Sequence, residues 1–320
     1  MELITKETCE FPVPEGGEAI LAYSTDRDYR SVRAFSNSWM KPLIDGKSFQ
    51  HCNTGLKVTD SLKTSLEIGS GFDALCHDLF YALANGDSVI AEQTDWRTQR
   101  HFSEQIAIKP KEFMGKIAKK NEEAFAEWQM LNMHKTIITE TNFLKVLEMI
   151  KSVATNKKWA EYLSGSIWQP CFYWWEEGLP MKAKLDHVVM KEGKLIPVEI
   201  KTSSVVTEDE FCKKAFNLSY DLQLVHYETA LKQYYKNEKI GVFRFLVCEN
   251  QPPYESTYFF ADEEMYDSGR KKRSYVIRKI KEHLSKGTPL TKYPKSEETR
   301  RLVPPPYSRK FLDSLETLNA

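Results

Sequence analysis

Asp186, Glu199 and Lys201 fall within residues 183–204, a run in which Leu185, Val188, Val189, Met190, Leu195, Ile196, Val198 and Ile200 mark a sheet interior. Ionised groups in such company need compensation, because burying each one alone costs several kcal/mol. Two carboxylates and an ammonium at one spot are what a metal-dependent phosphodiesterase needs. The elements that must position them follow from the same residues. A strand is expected near Lys182–Met190 and a second near Leu195–Lys201, with Glu192-Gly193-Lys194 turning between them. Period-2 alternation sets Glu199 and Lys201 on one strand face, and a hairpin brings Asp186 alongside.

An acid two residues before a lysine occurs three times, at Asp45-Gly46-Lys47, Glu192-Gly193-Lys194 and Glu199-Ile200-Lys201. The first two hold glycine and read as turns with solvated charges. Only the third is wrapped in Ile196, Val198 and Ile200, although an exposed strand face with a surface ion pair would look the same. Downstream, residues 218–235 have helical periodicity. Gln223 and Tyr227 there are four apart and share a face, either as a polar edge or as groups that order a phosphate or a catalytic carboxylate. Upstream, Gly69-Ser70-Gly71 leads into a helix that carries His77 among apolar neighbours. His77 is either a core histidine or one ligand beside carboxylates for Mg²⁺ or Mn²⁺.

In this order, His77, Asp186, Glu199-Ile200-Lys201 and Gln223-x-x-x-Tyr227 resemble the PD-(D/E)xK nuclease superfamily. The likeness is to its RecB-like branch, and within that to the RecE-type exonuclease VIII group of phages and prophages. Residues 115–129, the helix 141–163, Cys171-Phe-Tyr-Trp-Trp175 and the closing Leu302-Val-Pro-Pro-Pro-Tyr307 follow that group's layout, so the resemblance spans about 65–307. There are departures. Glu199 stands where the group commonly has Asp, Gln169-Pro170 where an acid often precedes the aromatic strand, and Lys184 where arginine is more usual.

Six cysteines are scattered without a C-x-x-C pair, which argues against a zinc ribbon, a disulfide framework and an iron–sulfur cluster. No apolar run is long enough for a membrane span and no signal-peptide hydrophobic region is visible, so a cytoplasmic protein is expected. Lys and Arg number 45, as do Asp and Glu, so net charge gives no support for DNA binding and local clusters must supply it. Arg270-Lys271-Lys272-Arg273, with Arg278, Lys279 and Lys281, form one such cluster. Lys109, Lys111, Lys116, Lys119 and Lys120 form another, and Trp96, Arg97, Arg100 and His101 a third. Each could equally be a solvated face.

The coarse order is a loop-rich N-terminal extension, 1–64, and a nuclease domain, 65–320, with a Pro-rich C-terminal arm. Helices are expected at Phe72–Leu83, Lys111–Gln129, Thr141–Leu163, the Gln223 segment and Asp262–Ser285. Strands are expected at Phe172–Trp175, the two named above, Val242–Glu249 and Ser256–Ala261. The fold class is α/β, a central mixed sheet flanked by helices, with helical N-terminal additions.

The resemblance implies that Asp186 and Glu199 hold Mg²⁺, Mn²⁺ being a possible substitute, with His77 and the Ile200 carbonyl as further ligands. Lys201 then positions or deprotonates the attacking water, or stabilises the transition state, and Gln223 and Tyr227 orient the phosphate or the Lys201–Glu199 pair. DNA contacts are expected from Arg97, Arg100, Lys184, Arg270, Lys271, Lys272 and Arg273. The implied activity is processive 5′→3′ digestion of double-stranded DNA ends, leaving 3′ tails for a single-strand annealing recombinase, by a ring-forming homo-oligomer. An endonuclease or single-strand exonuclease of the same superfamily would keep every one of these residues. A DNA-end-binding module with a vestigial site and a structural metal-binding protein stand further off.

Overall fold

The computed structural model describes residues 11–23, 26–45, 49, 52, 60–84, 106–115 and 117–287. Along these run β1 (Ile20–Ala22), α1 (Asp26–Ser31), α2 (Asn37–Ile44), α3 (Asp60–Ala84), β2 (Ile106–Ile108), α4 (Glu122–Leu131), β3 (Thr136–Ile138), α5 (Glu140–Ala154) and α6 (Lys157–Leu163). Then come β4 (Ile167–Trp168), β5 (Cys171–Glu176), β6 (Leu179–Lys184), β7 (His187–Lys191), β8 (Lys194–Ser203), α7 (Glu208–Asn217) and α8 (Tyr220–Tyr234). The described residues close with β9 (Lys239–Ile240), β10 (Arg244–Glu249), β11 (Ser256–Phe260) and α9 (Glu263–Ser285). The Pro-rich arm at 302–307, together with Arg97 and Arg100, lies outside the described residues.

The principal sheet has the order β11-β10-β8-β7-β4, with β9 beside the start of β8. It is mixed: β8 runs parallel to β10 and antiparallel to β7. A second sheet, β1-β5-β6, is continuous with it in chain path, because β4 leads into β5 and β6 into β7 across one bend. At that bend Gln169 takes a left-handed φ of 48°. Two bonds hold the strands together there, Gln169 N–H to the Asp186 carbonyl (2.8 Å) and Leu185 N–H to the Pro170 carbonyl (3.1 Å). The strand expected over Lys182–Met190 is thus broken at Leu185-Asp186, and Asp186 occupies the corner.

Alternation along β8 and β10 sorts side chains into two cores. Val198, Ile200, Leu246 and Cys248 pack with α3, α5 and α6. Phe245 and Val247 face the other way, with Leu222, Leu224, Phe211, Val276 and Ile280 from α7, α8 and α9. Glu199 and Lys201 belong by parity to this second face, where an apolar side chain would otherwise sit. The β7–β8 hairpin closes through Glu192 (φ 50°) and Gly193 (φ 69°), a two-residue turn of the kind that matches strand twist. Its register pairs His187 with Val198 and so sets Asp186 next to Glu199. α9 crosses α8 closely at Gly269, where a Cβ would lie 2.1 Å from the Asp221 carbonyl oxygen.

Two helical expectations change in detail, and one further helix is added. The helix expected over Thr141–Leu163 is two, α5 and α6, because the Asn156 side chain accepts from Lys158 N–H and starts a new helix. The helix expected over Lys111–Gln129 begins as two short 3₁₀ turns before α4. α7 was not expected at all.

Candidate active site

Glu199 is 1% exposed and every oxygen of its carboxylate is engaged. Oε1 accepts from the Asp186 backbone N–H at 3.1 Å. Oε2 accepts from Gln223 Nε2 at 2.8 Å and pairs with the Lys201 ammonium. Asp186 Oδ2 accepts in turn from Ile200 N–H at 3.0 Å and lies 3.9 Å from Lys201 Nζ. Gln223 also donates to the Tyr227 hydroxyl at 3.1 Å, and the Tyr220 ring lies 5.3 Å from Lys201 Nζ. Asp186, Glu199, Lys201, Gln223 and Tyr227, read as one unit from spacing, do form one hydrogen-bonded cluster. Lys184 is half-buried at the end of β6, two residues before Asp186.

His77 does not join them. It lies flat on Trp168, with ring centroids 4.0 Å apart and planes 5° apart, and burial pushes its pKa down to about 4. The residue that approaches the carboxylates is Asp73, one helical turn earlier on α3. Gln169 Nε2 donates to Asp73 Oδ2 at 2.9 Å, whereas the buried Oδ1 has no hydrogen-bond partner. The helix carrying the candidate ligand was thus anticipated and the residue was not. The signal available was an acid at Asp73 set between Phe72 and Ala74, both buried. Gln169, where an acid was the expectation from the resemblance, is an amide that supports Asp73. What the structure shows at Ile200 is its N–H on Asp186.

The electrostatics follow from crowding. Burial and then the Asp186 charge push Glu199 up to about 8, against Lys201. Burial and then Asp186 push Asp73 up to about 7, against the Gln169 amide. For Lys201 burial acts downward, but Glu199 and Asp186 outweigh it and hold the ammonium charged. With those carboxylates beside it Lys201 is a paired cation, which counts against the general-base option and for a positioning or charge-stabilising one.

Among the described residues no three His, Cys, Asp or Glu side chains already converge as a metal site. The donor set nevertheless fits a hard divalent cation. Asp73, Asp186 and Glu199 bring three carboxylates against one ammonium, two of them are held well above their ordinary range, and Asp73 Oδ1 has no donor. Mg²⁺ is bound by few carboxylates and retained waters, the arrangement such a pocket permits.

The basic block read on α9 is taken up mostly in ion pairs. Arg270 and Arg273, three apart, share one side of the helix, and Lys271 and Lys272 turn away from it. Arg270 pairs with Glu263 and Asp267, Lys272 with Asp221 at 2.7 Å, and Arg273 grips Glu176 with both guanidinium nitrogens. Lys271 alone of the four is exposed with no ion pair among the described residues.

The chain matches the model of a PDDEXK-like domain family of unknown function, DUF3799, over residues 98–291. That span holds Asp186, Glu199, Lys201, Gln223 and Tyr227, and Asp73 lies upstream of it. No curated protein matches the chain. The crystal structure of a candidate exonuclease from Eubacterium rectale is similar in fold, with a TM-score of 0.50 and 16% identity over 91% of this chain and 98% of that one. The PDDEXK-like description of the family supports a nuclease, and nucleases of that superfamily usually use divalent metals. On its buried carboxylate–lysine cluster and on the match over more than half its length, this chain is a member of the PDDEXK-like DUF3799 family.

Proposed function

We propose that the protein is a Mg²⁺-dependent deoxyribonuclease that degrades linear double-stranded DNA from its ends. The observation that carries the nuclease reading is Glu199: a buried glutamate gripped by Lys201, Gln223 and the Asp186 backbone, at a charge density that favours a divalent cation. The restriction to DNA ends, 5′→3′ polarity and the production of 3′ tails for an annealing partner rest on the resemblance to RecE-type exonucleases.

When bound at Asp186, Glu199 and Asp73, a divalent cation supplies Lewis-acid neutralisation of phosphate charge and an acidified water. The chain's own residues do the remaining work. Ile200 N–H fixes the Asp186 carboxylate, and Gln223 fixes Glu199, so neither has to reorganise during the reaction. Tyr227 holds the Gln223 amide in turn, and Tyr220 walls the Lys201 ammonium. Lys201 delivers a fixed positive charge to the side of the site where the phosphate's negative charge grows.

The test uses linear duplex labelled at either end and a circular duplex, each with Mg²⁺ and with chelator, for wild type and Lys201→Ala. Mg²⁺-dependent release from linear duplex, lost in Lys201→Ala, is the expected result. Release of the 5′ label first supports the polarity. Cutting of the circle transfers the reading to an endonuclease, and activity unchanged in Lys201→Ala removes the site assignment.

A further inference from the structure

Lys214 on α7 stands apart from the other cations near the sheet. Its Nζ donates to the Thr202 carbonyl at 2.8 Å, and Thr202 directly follows Lys201 on β8. The side chain is half-buried, and among the described residues it makes no ion pair. An ammonium carries three donors, so one bond to a carbonyl leaves two. Its pKa is lowered, by burial and then by the positive charge of Lys201, so each ammonium lies within the other's field.

The charges then order themselves along β8. Lys201 is neutralised by Glu199 and Asp186, and Lys214 sits one step beyond, held only by a carbonyl dipole. On α9, Arg270, Lys272 and Arg273 are committed to Glu263, Asp267, Asp221 and Glu176. A positive group that is half-buried, carboxylate-free and adjacent to a pocket of acids is placed to receive an anion. Like charges brought together in a partly desolvated setting repel until an anion sits between them.

We propose that Lys214 is a substrate-binding residue that seats a phosphate group of the DNA strand next to the phosphate undergoing cleavage. The inference rests on the nuclease reading. The ligand chemistry is a phosphate oxygen, from either an internal phosphodiester or a 5′-terminal phosphate.

The competing structural role is that Lys214 merely caps the Thr202 carbonyl at the C-terminal turn of α7. Lys214→Gln separates the two, since its amide can still donate to that carbonyl and the charge is gone. Lys214→Arg keeps the charge. Binding of linear duplex is measured in chelator across a salt series, and turnover in Mg²⁺.

Lys214→Gln is expected to weaken binding about 10-fold or more, as loss of a charge-assisted hydrogen bond does. It should also flatten the slope of log K against log[salt] by about 1 and raise KM more than it lowers kcat. Lys214→Arg should restore all three. A loss seen on 5′-phosphorylated and 5′-hydroxyl duplex alike assigns an internal phosphate, and a loss confined to the first assigns the terminal one. Equal affinity and slope in wild type and Lys214→Gln overturn the assignment, as does a loss that tracks a fall in Tm and is not rescued by Lys214→Arg. Should wild type cleave DNA while Lys214→Gln is unaltered, only this inference falls. Should wild type neither bind nor cleave, the nuclease reading falls with it.

Discussion

Two buried charge clusters lie on the same side of the sheet, and they are balanced differently. In one, Glu176 accepts both guanidinium nitrogens of Arg273 and the Trp174 indole N–H, while Asp221, fully buried, takes Lys272, Ser268 and its neighbour's backbone N–H. Burial alone would raise Glu176, but Arg273 outweighs it and holds the carboxylate below its ordinary range. In the other cluster Lys201 stands against Glu199, Asp186 and Asp73, and Glu199 and Asp73 are pushed up instead. Both look like buried salt bridges. The first is saturated in charge, each carboxylate facing its own cation, and ties α9 to β5 and α8. The second carries more carboxylate than its lysine can neutralise, which serves stability poorly and suits a metal-using site.

Replacing Glu199 with Gln should therefore separate activity from stability. The expected loss of Mg²⁺-dependent cleavage is about 10²–10³-fold, as for removal of a preorganised electrostatic group. The thermal midpoint should fall by less than for a Glu176 variant, because loss of one crowded charge offsets the amide N–H that now faces a donor. A large drop in Tm would mean that Glu199 is as structural as Glu176, and the contrast between the clusters would collapse.

The reverse pattern is expected for Glu176→Ala, which leaves Arg273 buried without its acid. Breaking such a pair costs about 3–5 kcal/mol. Denaturant melts should show that loss, while kcat per folded molecule is retained. If cleavage falls and stability does not, the saturated cluster belongs to the site.

A smaller effect of the same kind is expected at the α8–α9 crossing. Gly269→Ala places a methyl against the Asp221 carbonyl, where backbone rather than a flexible side chain must give way. Overpacking of this kind costs about 1–3 kcal/mol, and the upper end is expected. An unchanged denaturation midpoint would show that α9 can shift without disturbing the Lys272–Asp221 pair.

The strand carrying Glu199 and Lys201 and the strands flanking Asp186 are legible because alternation, β-branched residues and a Glu-Gly turn agree over residues 171–201. The corner at Leu185-Asp186 was not, since it depends on Gln169 taking a left-handed conformation that glutamine does not advertise. α7 escaped because only Phe211 and Ala215 of its ten residues are buried, too few to show a period. Asp73 was overlooked for a different reason: on a helix, an acid beside buried neighbours looks like the polar edge of an amphipathic face. It takes the position of α3 against the bend to show that Asp73 meets Gln169 and the field of Asp186. The acids that pair with the basic block, Glu176 and Asp221, come from other elements, so its ion pairs could not be read from the run of charge alone.

The saturated cluster also makes a prediction about pH, through His226. Its ring lies 5.1 Å from that of Trp174, its Nε2 donates to the Lys182 carbonyl at 2.9 Å, and its buried Nδ1 has no partner. Burial, and then the positive charge of Arg273, push its pKa down to about 3 from the ordinary 6.5. Above pH 6.5 the imidazole is neutral in both folded and unfolded chains and stability does not depend on it. As pH falls below 6.5 the unfolded chain binds a proton that the folded one refuses, so stability is lost progressively until about pH 3. At pH 5 the loss attributable to this one residue is about 2 kcal/mol. His226→Gln keeps a donor for the Lys182 carbonyl and does not titrate, so its stability curve should fall less steeply between pH 7 and pH 5, by roughly that amount. Parallel curves would mean that the imidazole can be protonated in place, with Glu176 rather than Arg273 setting its field.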